Sequence, residues 1–180
     1  MKRLYAGALA AALLMLCLSA CSTQDADNKP KDDVSMGAVE SAIKAQVKSD
    51  LISSGAFQES DFEEGVLPSY QSVKLNEEGF QLPIEADVSQ LEDAVAISHM
   101  MNVNADMIVV LKAKDAEGVK KAEEIAKQLK EQQVQTWEQY LPEQFDKVQS
   151  NITKTVGNFV LYITYDDPKR MEDAIMKVIR

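Results

Sequence analysis

A chain of 180 residues with 29 acidic and 19 basic side chains and a formal charge of −10 has room for one hydrophobic core. Its charge is repelled by nucleic-acid phosphates and anionic lipid headgroups, so neither is an expected partner of the folded domain. One histidine and two cysteines exclude a multi-histidine zinc site, and the seven glycines form neither a dinucleotide fingerprint nor a Walker A loop.

Lys2 and Arg3, the apolar stretch Leu4 to Leu18 and the small residues before Cys21 make the three parts of an export signal. Leu18-Ser19-Ala20-Cys21 reads as a lipobox. Residues 1–20 are therefore expected to be a lipoprotein signal peptide, with Cys21 the lipidated residue at the new amino end. Similarity to lipoprotein precursors implies diacylglyceryl transfer to that thiol and further acylation, palmitate included. Two or more chains, at ~0.8 kcal/mol per buried CH₂, hold a protein stably on a bilayer where one does not. The expected location is the extracytoplasmic face of the cell membrane. The competing readings are an uncleaved membrane helix, for which the run is slightly short, and an ordinary secretory signal. Cleavage removes two basic residues and no acid and takes the formal charge from −10 to −12. Cys17 leaves with the signal and Cys21 is modified, so no disulfide is expected.

Ser22 to Val34 is polar and charged, and residues 21–34 read as the lipidated cysteine and a flexible tether. Such a segment holds the domain on the order of 20 Å from the membrane. Asp25, Asp27 and Asn28 suggest a calcium loop, but Lys29 and Pro30 stand where a ligand and a turn glycine are needed.

Residues 35–180 read as a single α+β domain. Met36, Val39, Ile43, Val47 and Leu51 lay an apolar stripe along a helix over 35–54, ended by Gly55. An irregular acidic stretch follows, with one short strand near Tyr70 to Leu75. Asp93–His99 and Asp106–Lys112 read as an antiparallel pair turned by Asn102 to Asn104. Asp115 caps a long helix with Val119, Ala122, Ile125, Ala126, Leu129 and Trp137 on one face, broken at Tyr140-Leu141-Pro142. Pro142 to Val148 reads as a shorter helix. Gly157-Asn158 turns a hairpin that pairs Val156 with Phe159 and Ile152 with Ile163, leaving Thr153, Thr155, Val160, Tyr162 and Thr164 on a solvent-facing side. Asp167-Pro168 opens the last helix, striped by Met171, Ala174, Ile175, Val178 and Ile179. The expectation is an α+β two-layer sandwich, order α-β-β-α-α-β-β-α: an antiparallel sheet of two hairpins with helices on one side.

The run Ala105-Asp106-Met107-Ile108-Val109-Val110, the helix end Tyr140-Leu141-Pro142 and the hairpin Gly157-Asn158-Phe159-Val160 stand in order behind the lipobox. Over about Leu91 to Ile179 the chain resembles an uncharacterised family of Gram-positive bacterial lipoproteins, domain of unknown function four-three-five-eight. The resemblance implies a surface-anchored α/β domain and supplies no activity. It also implies glutamate where Asp106 and Met107 stand and tyrosine where Phe159 stands, departures that bear on any polar site there. Tyr140, Pro142, Gly157 and Asn158 carry the likeness, and helix-end and turn geometry account for all four.

The chemistry-bearing residues form no catalytic pattern. His99 ends a strand beside Met100 and Met101 and reads as a packed edge histidine. The carboxylates Asp61, Glu63 and Glu64, and the pair Asp166 and Asp167, read as a solvated loop and a helix cap rather than a general acid and base. Trp137 falls on a core stripe, and Tyr162 is the aromatic expected to face outward. No catalytic residue, metal ligand or cofactor is assigned. The sequence points to a non-catalytic binding or interaction module that meets an envelope protein or small ligand through the outer face of its sheet. The alternatives are an acidic-residue hydrolase of the cell envelope and a purely structural component.

Overall fold

The computed structural model describes residues 29–31, 33–63 and 65–180; the expected signal segment, Cys21 and Glu64 lie outside them. Helix α1 (Met36–Ser53) starts at Ser35, whose side chain accepts from the Ala38 N–H, and its chain turns away at Gly55, at φ +76°. Strands β1 (Tyr70–Lys74), β2 (Leu91–His99) and β3 (Met107–Ala113) follow. Then come helix α2 (Ala116–Trp137), capped by Asp115 through the Glu117 and Gly118 N–H groups, and helix α3 (Pro142–Gln149), with proline in its first turn. Strands β4 (Ile152–Val156) and β5 (Phe159–Thr164) and helix α4 (Pro168–Ile179), capped by Asp167, complete the domain.

The five strands form one antiparallel sheet, β1-β2-β3-β5-β4. Val156 pairs with Phe159 and Ile152 with Ile163, the register that the Gly157-Asn158 turn predicts. The α+β class with an antiparallel sheet and four helices stands, and β1 adds a strand to the expected order. The packing differs from helices on one side, because both faces are covered. Ile108 and Val110 of β3 and Phe159, Leu161 and Ile163 of β5 pack with Val39, Ile43 and Val47 of α1 and Met171 and Ile175 of α4. Their neighbours Val109, Leu111, Val160 and Tyr162 pack with Ala122, Ile125, Ala126 and Leu129 of α2.

Tyr162 is therefore buried, correcting the expectation that it faces outward, and Thr164 is buried with it. The outward residues of the last hairpin split by strand. Those of β4, at the sheet edge, stay partly exposed, whereas those of central β5 lie under α2. Polar atoms are tolerated there because Gln133 of α2 matches them: its Oε1 accepts from the Tyr162 hydroxyl at 2.6 Å and the Thr164 hydroxyl at 2.7 Å. Burial pushes the Tyr162 phenol up to about 12.

The sheet has two distinct ends. The Gly157-Asn158 turn lies beside Ala113, whose N–H donates to the Asn158 carbonyl. The opposite end gathers Tyr70, His99, Asp106 and Thr164, about 20 Å away at ~3.3 Å per strand residue. The N-terminal segment reaches the turn end. The Lys31 N–H donates to the Ile179 carbonyl at 2.8 Å, its ammonium to the carbonyls of Lys177 and Val178, and Val34 is buried. Pro30 sits so close to Gly157, at φ +58°, that a Cβ there would come within 2.4 Å of its ring. Pro30, Lys31 and Val34, expected as the end of a free tether, thus lie against the domain.

Two substitutions test this packing. A Cβ on Gly118 would stand 2.5 Å from the Gln90 carbonyl oxygen, a backbone atom, whereas one on Gly37 meets nothing within 4 Å. Gly118→Ala is expected to cost about 1–3 kcal/mol and Gly37→Ala to be neutral or stabilising by up to about 1 kcal/mol, both read from urea unfolding. The acid limb of stability provides a second test. Burial raises the pKa of Glu172, but hydrogen bonds from Lys154 and Lys169 outweigh it, and the net shift from 4.5 is downward. A carboxyl depressed in the folded state stabilises above its unfolded pKa and loses that contribution as pH falls through the folded one. Stability is expected to fall below about pH 4, where carboxylates protonate, and Glu172→Gln to flatten that limb in pH-dependent melting.

Candidate functional site

The β2–β3 connection, Met100 to Asp106, is held at the end of the sheet by three side chains and a backbone carbonyl. Asn104 Oδ1 accepts from the Asp106 N–H at 2.9 Å, a local turn that asparagine favours. Gln144 of α3 accepts from the Ala105 N–H at 2.8 Å, and Gln133 of α2 donates to the Ala105 carbonyl at 2.8 Å. The Met100 N–H donates to the Ser69 carbonyl at 2.8 Å, and Ser69 takes φ +67° just before β1.

Under this loop lies a buried ion pair. The Asp106 side chain is 1% exposed and that of Lys147 is 8% exposed, with 2.6 Å between Nζ and Oδ1. The Tyr70 hydroxyl donates to the other Asp106 oxygen at 2.5 Å. Lys147 also reaches Asp166 at 2.8 Å and Asn104 Oδ1 at 3.2 Å. Burial alone would lower the Lys147 pKa, but the two carboxylates outweigh it and hold it above the ordinary lysine value. Burial and then the Asp106 charge push the Tyr70 phenol upward. At neutral pH Lys147 is an ammonium and Tyr70 a neutral donor, so neither is poised as a nucleophile or base.

The sequence-derived candidates scatter around this centre. His99 packs its ring edge on Tyr70, with centroids 5.0 Å apart, and its Nδ1 accepts from the Met101 N–H, so it braces the loop. Asp61 accepts from the Gln58 N–H in a single 3₁₀ turn, Glu63 is exposed and Asp167 caps α4. Asp166 alone joins the cluster. Asp106 and Asp166 share one ammonium, with the Asp106 side chain closed to solvent and that of Asp166 79% exposed. Tyr140 and Pro142 stand at the α2–α3 corner, Tyr140 exposed and Pro142 first in α3. Gly157 and Asn158 form the turn at the far end, and the Asn158 amide donates to the Ala113 carbonyl at 3.1 Å.

Outside this ion cluster the same end of the sheet displays large apolar side chains. Of five exposed large hydrophobic residues among the described residues, four lie here: Met100 at 62%, Met101 at 56%, Val103 at 44% and Tyr140 at 54% exposed. A groove of about 260 Å³ runs between the loop and the end of α2, with Met100, Met101 and Trp137 in its walls. A second depression, of about 510 Å³, lies between Val103 and the start of α3 at Leu141 and Pro142. Trp137 is buried, as its helix phase predicts, and stacks obliquely on Tyr140 with centroids 5.8 Å apart. The second falls within the size range of small-ligand sites and the first just below it.

Sequence comparison places these features within a known family. The family described as Domain of unknown function (DUF4358) matches residues 70–165, more than half of the chain, and the chain belongs to it. The match begins at β1 and ends just past β5, so it takes in the whole sheet, α2 and α3, with Tyr70, His99, Asp106 and Lys147. No curated protein and no solved structure matches.

The ion pair has a measurable signature. Lys147→Met is expected to leave Asp106 buried without its partner and to cost about 3–5 kcal/mol in urea unfolding. Asp106→Asn combined with Lys147→Met is expected to cost less than the sum of the single changes, because the stranded charge is gone.

Proposed function

We propose that this member of the DUF4358 family is a membrane-tethered, non-catalytic interaction module of the cell envelope, lipidated at Cys21. It docks its partner through the loop end of the sheet rather than through a sheet face. One observation carries the reading: four of the five exposed large hydrophobics of the described residues converge on that end, where apolar surface on a soluble domain marks a contact site. The buried Asp106–Lys147 pair beneath holds the loop in one shape, which lowers the entropy lost on docking.

Chain direction supports the same arrangement. Pro30 and Lys31 lie against the Gly157 turn and the end of α4, at the end of the sheet opposite to Met100, Met101 and Val103, and so leave that loop uncovered. The −12 charge of the processed chain keeps the domain itself off anionic lipid.

The expected outcome in cells has two parts. Cys21→Ser abolishes palmitate labelling and membrane retention. A photo-crosslinker at exposed Asn102, in the loop, gives discrete adducts that drop severalfold when Met100→Ser and Met101→Ser are combined, whereas one at exposed Lys127 on α2 gives none. Retained labelling in Cys21→Ser, or adducts equal at the two positions, overturns the reading.

A further inference from the structure

Charge around the loop end selects among possible partners. Residues 94–111 and 131–153 contain one basic side chain, Lys147, and it is buried against Asp106 and Asp166. Glu138, Glu143 and Asp146 are exposed around the α2–α3 corner and make no ion pair among the described residues. The Asp166 side chain is 79% exposed on its outer side. Apolar side chains and two grooves thus lie beside three exposed carboxylates, Glu138, Glu143 and Asp146, that no described lysine or arginine pairs, while Asp166 shares the buried Lys147 with Asp106. A second copy of this chain would bring the same negative rim against itself, and anionic lipid would be repelled in the same way.

We infer that the loop end binds a cationic amphipathic protein segment, one that presents aliphatic side chains flanked by lysine or arginine. This rests on the reading of that end as the docking surface and assigns its occupant. The aliphatic groups enter the groove bordered by Met100, Met101 and Trp137 and the depression between Val103 and Leu141. The unbranched methionines adapt to partners of different shape. The flanking cations meet Glu138 and Glu143, which steer encounter and favour a basic over an acidic partner. Such a division, with apolar anchors in a groove and charge at the rim, is a recurrent way of reading an amphipathic segment.

Trp137 is the single tryptophan of the chain and stands in the groove wall, so its fluorescence reports occupancy. The test uses the detergent-solubilised full chain and three short synthetic peptides: lysine alternating with leucine, glutamate alternating with leucine, and lysine alternating with serine. The lysine–leucine peptide is expected to bind and shift the Trp137 emission, more weakly as salt rises, with the other two at least tenfold weaker. Combined Met100→Ser and Met101→Ser should weaken it tenfold or more. Combined Glu138→Gln and Glu143→Gln should weaken it threefold or more, whereas Glu78→Gln with Glu85→Gln, an equal charge change away from the site, should not. Melting curves confirm that each variant is folded.

Equal binding of the glutamate–leucine peptide, or equal losses from the two glutamine pairs, overturns the cationic occupant. So does concentration-dependent self-association of the chain that the methionine changes abolish, which would make a second copy the occupant. Those results together with adducts at Asn102 in cells leave the docking end in place and remove only its assigned partner. Absence of adducts at Asn102 removes the docking end itself.

Discussion

A carboxylate with 1% of its side chain exposed has to be matched by a cation and by hydrogen bonds, and Asp106 sets that demand at the start of β3. Lys147 meets it from α3, Tyr70 meets it from β1, and Asp166, just past β5, takes the remaining reach of the same ammonium. One buried charge thereby ties together elements that hydrophobic contact alone would leave free to slide. The loop that precedes it, Met100 to Ala105, has little apolar burial of its own except at Ala105. It is held by Ser69, His99, Gln133 and Gln144 through backbone hydrogen bonds. An exposed apolar surface on such a loop is displayed in one shape rather than sampled.

The second constraint is burial of β3 and β5 on both faces. Covering one face with α1 and α4 and the other with α2 removes both faces of these central strands from solvent, and Tyr162 and Thr164 with them. What stays accessible on the sheet is its edges and its ends. The turn end is occupied by the chain's own Pro30 and Lys31, whereas the loop end carries two grooves and four of the five exposed large hydrophobics of the described residues. A layered domain of this kind leaves its loops and sheet edges to solvent.

Much of this was legible in the residues. Asp115, Asp167 and Pro142 announce helix starts by capping chemistry and fixed φ, and Gly157-Asn158 sets the register of the last hairpin, because these are local effects of one or two residues. The stripes of α1, α2 and α4 follow from helical period. Gln133 did not stand out, since a glutamine between charged residues reads as surface until Tyr162 and Thr164 are known to lie beneath it. Asp106 was singled out only because the family resemblance places glutamate there, and Lys147 looked like one more charge on a short amphipathic helix.

Local propensity and periodicity in this chain determine where helices, turns and strands begin, which face of each helix is apolar, and that the last two strands pair as they do. These depend on interactions within a few residues and so are written in the order of the chain. Only the tertiary structure decided that α2 crosses to the opposite face from α1 and α4, that Asp106 and Lys147 meet across 41 positions, and that Met100, Met101, Val103 and Tyr140 share one end. Those outcomes depend on which buried surfaces and charges find each other when the whole core closes, and sequence separation carries no information about that.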